Sequence, residues 1–351
     1  MYCRKVLCVM ALSALLGRCQ PALFDGVSAL RYTCRAVSFG PRPPESTALV
    51  RLRAYIWKEL EKFGWQVIPD PFRAMTPRGP VNMQNIIARR PGVSGRTVVL
   101  SGHYDTKWLP SIRFVGANDG GSSTGFLLEM ARVLPSAGFR QELLLVFFDG
   151  EEAFGPWSDT DGLYGSRHLA ARWAADGTLN RLQALINVDM IADRDLGILR
   201  EMNSTRWLRE LVWQTATELG FERHFLSRTA WIEDDHVPFL RRGASAVNLI
   251  DFEYGPGNSY WHTEQDSCDK LSAASLEVVG RVVLAVLSKL DSKRAGQVPG
   301  SSLPAGSSGS NCGPPGPQSS AENIRPWPPA PLSSFTVKRA CSPFTDTQTW
   351  W

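Results

Sequence analysis

What the chain lacks narrows the reading first. The apolar run near the start, 6–16, falls short of the roughly 20 residues a membrane-crossing helix needs, so no transmembrane span is expected. Basic charge is in short supply: 38 Lys and Arg stand against 34 Asp and Glu, a net charge of +4. From Lys293 onward five basic residues face two acidic ones, which leaves the main body nearly neutral. A protein that tracks phosphates needs a basic stripe, so nucleic acid is not an expected partner. The seven cysteines form no scaffold pattern, because Cys3, Cys8 and Cys19 lie in or beside the first apolar run and Cys312 and Cys341 lie near the other end. That leaves Cys34 and Cys268, which either pair in an oxidising compartment or stay as two buried thiols. No internal repeat is visible.

What is present suits one large domain or two modest ones with a real core: 43% of the 351 residues are hydrophobic and 21% charged. Arg4 and Lys5 ahead of the apolar run read as a cleavable secretory signal over 1–22, which predicts a secreted or periplasmic protein. A lipoprotein anchored through Cys19 is the lesser alternative, since Arg18 is wrong for a small-residue cleavage site, and an uncleaved anchor is another. At the other end, nine of the 24 prolines fall between Pro299 and Pro331 among Gly and Ser, so 293–351 reads as a disordered tail.

Between these, 40–291 alternates short apolar runs with helical stretches. The runs 98–101, 143–148, 184–188 and 246–250 read as buried strands; 45–63, 125–134, 166–174, 205–219 and 272–290 read as helices. This alternation predicts a single three-layer α/β domain whose central sheet is mostly parallel and flanked by helices. In such sheets ligands bind beyond the carboxyl ends of the strands. His103 and Asp105 follow the first run, Glu151 and Glu152 the second, and Asp189 ends the third.

Each signal has a bland reading by itself. His103 two residues from Asp105 can be a structural pair, or Asp105 can orient a ligating imidazole. Asp119, in Gly116-Ala117-Asn118-Asp119-Gly120-Gly121 at a helix start, can be an N-cap, or a carboxylate that tight glycine turns aim inward. Glu151-Glu152 can be a solvated turn; if buried, the pair needs a cation for one member and leaves the other as a general base of raised pKa. Asp189 can cap a strand, and His262 can be an ordinary loop residue. Taken in order, these oxygen and nitrogen donors at successive strand ends form a set suited to catalytic zinc, with no thiolate.

The constellation resembles the zinc-dependent aminopeptidase superfamily and, more closely, the glutaminyl cyclases, over about residues 45–290. The closer likeness rests on FFDGEEAFGPWSDTDGLYGSRHLA at 147–170, IEDDHVPFLRRG at 232–243, and Trp261-His262-Thr263. The resemblance implies a mixed central β-sheet and one zinc held by Asp119, Glu152 and His262. Glu151 then shuttles the proton, Asp234 and Asp189 form an acidic network beside it, and Trp157 and Trp261 line the pocket. The implied reaction converts the N-terminal glutamine of a peptide to pyroglutamate with release of ammonia. The related two-metal aminopeptidases offer the rival, in which His103 and Asp189 hold a second zinc and Asp119 bridges the two. A non-catalytic ectodomain with the same fold is a third reading, but its signature is lost ligands, and all are present. One departure stands out: animal cyclases carry a cysteine pair beside the equivalents of His103 and Thr124, where this chain has Gly102 and Thr124. The segment 252–260 is also longer than theirs.

Overall fold

The computed structural model describes residues 23–292; the expected signal, 1–22, and the expected tail, 293–351, lie outside the described residues. The chain begins with α1 (Gly26–Val37), α2 (Thr47–Lys62), β1 (Gln66–Thr76), β2 (Gly79–Arg90), β3 (Thr97–His103), α3 (Gly121–Val133) and β4 (Glu142–Phe148). It continues with α4 (Tyr164–Ala175), β5 (Leu182–Asp189), β6 (Ile198–Glu201), α5 (Arg206–Glu218), β7 (Phe225–Ala230), α6 (Val237–Leu240), β8 (Ala246–Ile250) and α7 (Ala273–Ser292).

Six strands form the central sheet in the order β1-β2-β4-β3-β5-β8. β1 with β2 and β2 with β4 run antiparallel; β3 runs parallel to β4 and β5, and β5 to β8, so the sheet is mixed and mostly parallel as expected. Alternate side chains of β4 enter two separate cores: Leu143, Leu145 and Phe147 join the larger, Leu144, Val146 and Phe148 the smaller. Helices cover both faces, which is why the inner strands read as unbroken apolar runs. The helices follow equally local rules. In α2, Ser46 accepts the Leu49 N–H at 3.1 Å, and Leu49, Leu52, Ile56 and Leu60 bury one stripe.

Three features escape the sequence reading. The packed body starts before residue 40, because α1 packs on α3 and α7 and contributes Ala29 and Ala36 to the larger core. The β1–β2 hairpin carries Pro69 and Pro71 and a half-exposed pattern, which hides a strand but suits the sheet edge where β1 lies. β6 and β7 pair as a separate short ribbon beyond the main sheet. Cys34 and Cys268 are joined, their Cα atoms 5.8 Å apart, tying α1 to the segment that follows His262.

Candidate metal centre and substrate cavity

β3, β4, β5 and β8 share one direction, so their carboxyl ends deliver His103, the Glu151-Glu152 turn and Asp189 to one edge. The packing there is tight. A Cβ on Gly102 would lie 2.6 Å from both Ser123 Cβ and the Val188 carbonyl oxygen, so this backbone has no room for a cysteine there. The Gly116–Gly121 turn then aims Asp119. Asp119 does not cap α3: Gly120 holds that position in the left-handed region at φ 76°, with no side-chain cap. Instead the Asn118 and Asp119 N–H groups donate to Asp266 at 2.7 and 3.2 Å, and the buried Arg42 guanidinium donates to the Val115 and Gly116 carbonyls at 2.5 and 3.0 Å. Held from behind, the Asp119 carboxylate presents one oxygen to each of two imidazoles.

Two donor groups result, and Asp119 belongs to both. His262 Nε2 lies 3.1 Å from Asp119 Oδ2 and 3.2 Å from Glu152 Oε1. His103 Nε2 lies 3.1 Å from Asp119 Oδ1 and 3.2 Å from Asp189 Oδ1. A tetrahedral zinc with bonds of 2.0–2.1 Å has donors separated by about 3.3 Å, so each group fits such an ion in spacing as well as in chemistry. The ligand set expected from the resemblance is therefore brought together, and so is the second set of the two-metal rival. Behind His103, Nδ1 lies 3.5 Å from Asp105 Oδ1. His262 adopts φ 54°, rare for a residue with a side chain, and is stacked on Trp261 with ring centroids 4.0 Å apart.

The crowding of charge sets the protonation tendencies. For Asp119, burial alone would raise the carboxyl, but hydrogen bonds to His103 and His262 outweigh it and hold the group well below the usual carboxylate range. Burial would lower His262, yet its bonds to Asp119 and Glu152 push it up to about 10. Burial dominates at Asp189, raised to about 7 despite the nearby His103. Glu151 is raised well above the ordinary glutamate value, chiefly by burial, with Glu152, Asp235 and Asp234 adding repulsion and His103 opposing. Buried anions around imidazoles are the environment a divalent cation neutralises, while Glu151, in neither donor group, is suited to hold a proton.

A cavity of about 620 Å³ opens over these groups and is lined by Glu151, Asp234, Trp157 and Trp261 among others. Neither glutamate is the solvated turn of the bland reading: Glu151 is 8% exposed and Glu152 4%. Trp157 is 41% exposed rather than core, and its indole lies against Gly162, whose absent Cβ would come within 3.0 Å of the ring. Asp234 is buried and accepts a 2.6 Å hydrogen bond from Asn248 Nδ2. Asn248 belongs to a chain of buried side chains across the sheet, in which Asn187 donates to Asn248 at 3.1 Å and Ser101 to Asn187 at 2.8 Å.

Sequence reasoning missed Arg42, Lys107, Asn248 and Asp266. Lys107 Nζ bonds the Ala153 carbonyl at 2.9 Å and lies 3.4 Å from Glu152 Oε2, on the side of that carboxylate away from His262. Asp266 had a usable signal, an acid four residues after the candidate ligand His262. A lone arginine between prolines carries none.

Comparison with known proteins places these features in context. The family model described as peptidase family M28 matches residues 85–287. A glutaminyl-peptide cyclotransferase of Drosophila melanogaster is 32% identical over 269 residues, covering 69% of this chain and 75% of that protein. The crystal structure of an Acidobacteriales bacterium glutaminyl cyclase is 38% identical, covers 82% of this chain and 99% of its own, and superposes with a TM-score of 0.74. A Zn-dependent exopeptidase from Parabacteroides distasonis is 25% identical with a TM-score of 0.69, covering 78% of this chain and 99% of its own.

Proposed function

Because the chain belongs to peptidase family M28 and, within it, to the glutaminyl-peptide cyclotransferases, we propose that it converts the N-terminal glutamine of peptides to pyroglutamate, releasing ammonia. The observation that carries the reading is the convergence of Asp119, Glu152 and His262, with the uncoordinated Glu151 beside them in one cavity. Asp119, Glu152 and His262 would hold the zinc, which when bound would supply Lewis acidity toward the side-chain carboxamide oxygen. Glu151 accepts a proton from the peptide's α-amine as that nitrogen bonds to the carbonyl carbon of the side-chain carboxamide. It returns the proton to the departing amide nitrogen, which leaves as ammonia while the five-membered ring closes. A carboxyl with raised proton affinity is matched to both transfers. Asp234 and Asp189 flank it as the acidic network, Asp234 held in place by Asn248. Trp157 and Trp261 wall the cavity, which keeps water from competing and holds the flexible glutamine bent toward closure.

A second reading has its own observation: His103, Asp119 and Asp189 also converge, and Asp119 belongs to both groups, as a two-metal aminopeptidase requires. Mass spectrometry of a Gln-initiated peptide incubated with the purified protein separates the two. Loss of ammonia is expected, with about one zinc per chain by metal analysis; loss of the first residue with a stoichiometry near two would overturn the cyclase reading. Among the described residues no helix is long and apolar enough to cross a membrane. The Cys34–Cys268 bond suits an oxidising compartment, which supports export directed by 1–22.

A further inference from the structure

The proposed reaction engages only the first residue of its substrate, so the rest of the peptide must leave the cavity, and the rim shows where. Trp231, just after β7, is 75% exposed and lines two cavities at once: the catalytic one and a neighbour of about 510 Å³. Glu233 also lines both, and its carboxylate is occupied. It accepts from Arg241 at 2.6 Å and from Trp157 Nε1 at 3.4 Å, which makes the wall between the two cavities a braced one. Beyond the Trp231 indole, the second cavity is lined by Val237 and Leu240 together with the polar Asn203 and Arg241. The opposite lip leads to a smaller space of about 290 Å³, but Lys107, the one residue shared with it, spans that lip through its bonds to Ala153 and Glu152.

We propose that the second cavity is a subsite for the downstream residues of the substrate peptide, with Trp231 as the platform the chain crosses and Val237 and Leu240 receiving an apolar or aromatic side chain. The inference rests on the cyclase reading for the substrate's polarity, and on the shared indole for its path. An exposed indole gives a large, stiff apolar surface at little entropic cost, which is why Trp recurs where peptides dock. The side-chain contacts on offer are worth about five-fold in affinity.

The test compares kcat/KM for Gln-Ala-amide and Gln-Ala-Phe-Ala-amide in the zinc-loaded full chain and in its Trp231→Ala and Trp231→Tyr variants. Peptide consumption is followed by mass spectrometry, which scores ammonia loss and residue loss alike. The wild-type protein is expected to prefer the longer peptide by about five-fold, Trp231→Ala to erase that preference, and Trp231→Tyr to keep most of it. An unchanged preference in Trp231→Ala, or none in the wild type, overturns the subsite. A change of product overturns the cyclase reading instead.

Discussion

Glu151 and Glu152 are neighbours in the chain yet sit in opposite surroundings, which fit them to the opposite tasks proposed for them. Glu152 lies 3.2 Å from His262 and is approached by Lys107 on its other oxygen, whereas Glu151 is wedged among Asp234, Asp235 and Glu152 with its proton affinity raised. Glu151→Gln should therefore fold normally and retain zinc by metal analysis while losing about 100-fold or more in kcat. Retained turnover would remove it as the acid/base. Asp266 acts one step behind. Its two oxygens take the N–H groups of Asn118 and Asp119, so Asp266→Ala should weaken zinc binding by about 10- to 100-fold in a chelator competition, with little change in the far-ultraviolet circular dichroism.

At the scale of elements, the segment carrying Asp234 is held by β6. Glu201 accepts from the Asn203 and Ser204 N–H groups at 2.8 and 2.7 Å and lies 3.0 Å from His236 Nε2. Burial would raise its carboxyl, but these bonds, His236 first, outweigh burial and hold it at about 2. A carboxyl whose pKa falls on folding contributes stability above its unfolded value near 4.3, and loses that contribution as pH drops through 2. Calorimetry across pH should show wild-type stability declining between about pH 4.5 and 2, a decline that Glu201→Gln flattens while lowering Tm at neutral pH. The Cys34–Cys268 bond works on the same scale, because it ties α1 to the loop that begins at His262 and spans 234 residues of sequence. Its loss in Cys34→Ser should cost about 2–5 kcal/mol, a fall in Tm of roughly 10 °C by calorimetry.

The whole molecule divides between a packed body and flanking segments read from sequence alone. Deleting 293–351 should leave kcat and KM for a Gln-initiated peptide within about two-fold of the full chain, since the helix that closes the body, α7, buries its apolar stripe from Leu276 to Leu290. A larger loss would show that the tail reaches the active site.

The α/β layering and the donor types were legible in the sequence because both follow local rules. Strands covered on two faces must be apolar throughout, and acids or imidazoles placed after them reach the carboxyl edge. The β1–β2 hairpin was not legible, since prolines and half-exposure mask a strand until its place at the sheet edge is known. Nor was α1, which lies ahead of the body read from the alternating pattern. Arg42 escaped because hydrogen bonds across long stretches of chain leave no periodic trace. The residue types thus determined by themselves that an oxygen- and nitrogen-donor centre was available. Only the tertiary structure decided that Asp119 faces two histidines rather than capping a helix, that Glu151 stands outside both donor groups, and that Trp231 joins two cavities, because each depends on the distance between groups the sequence leaves far apart.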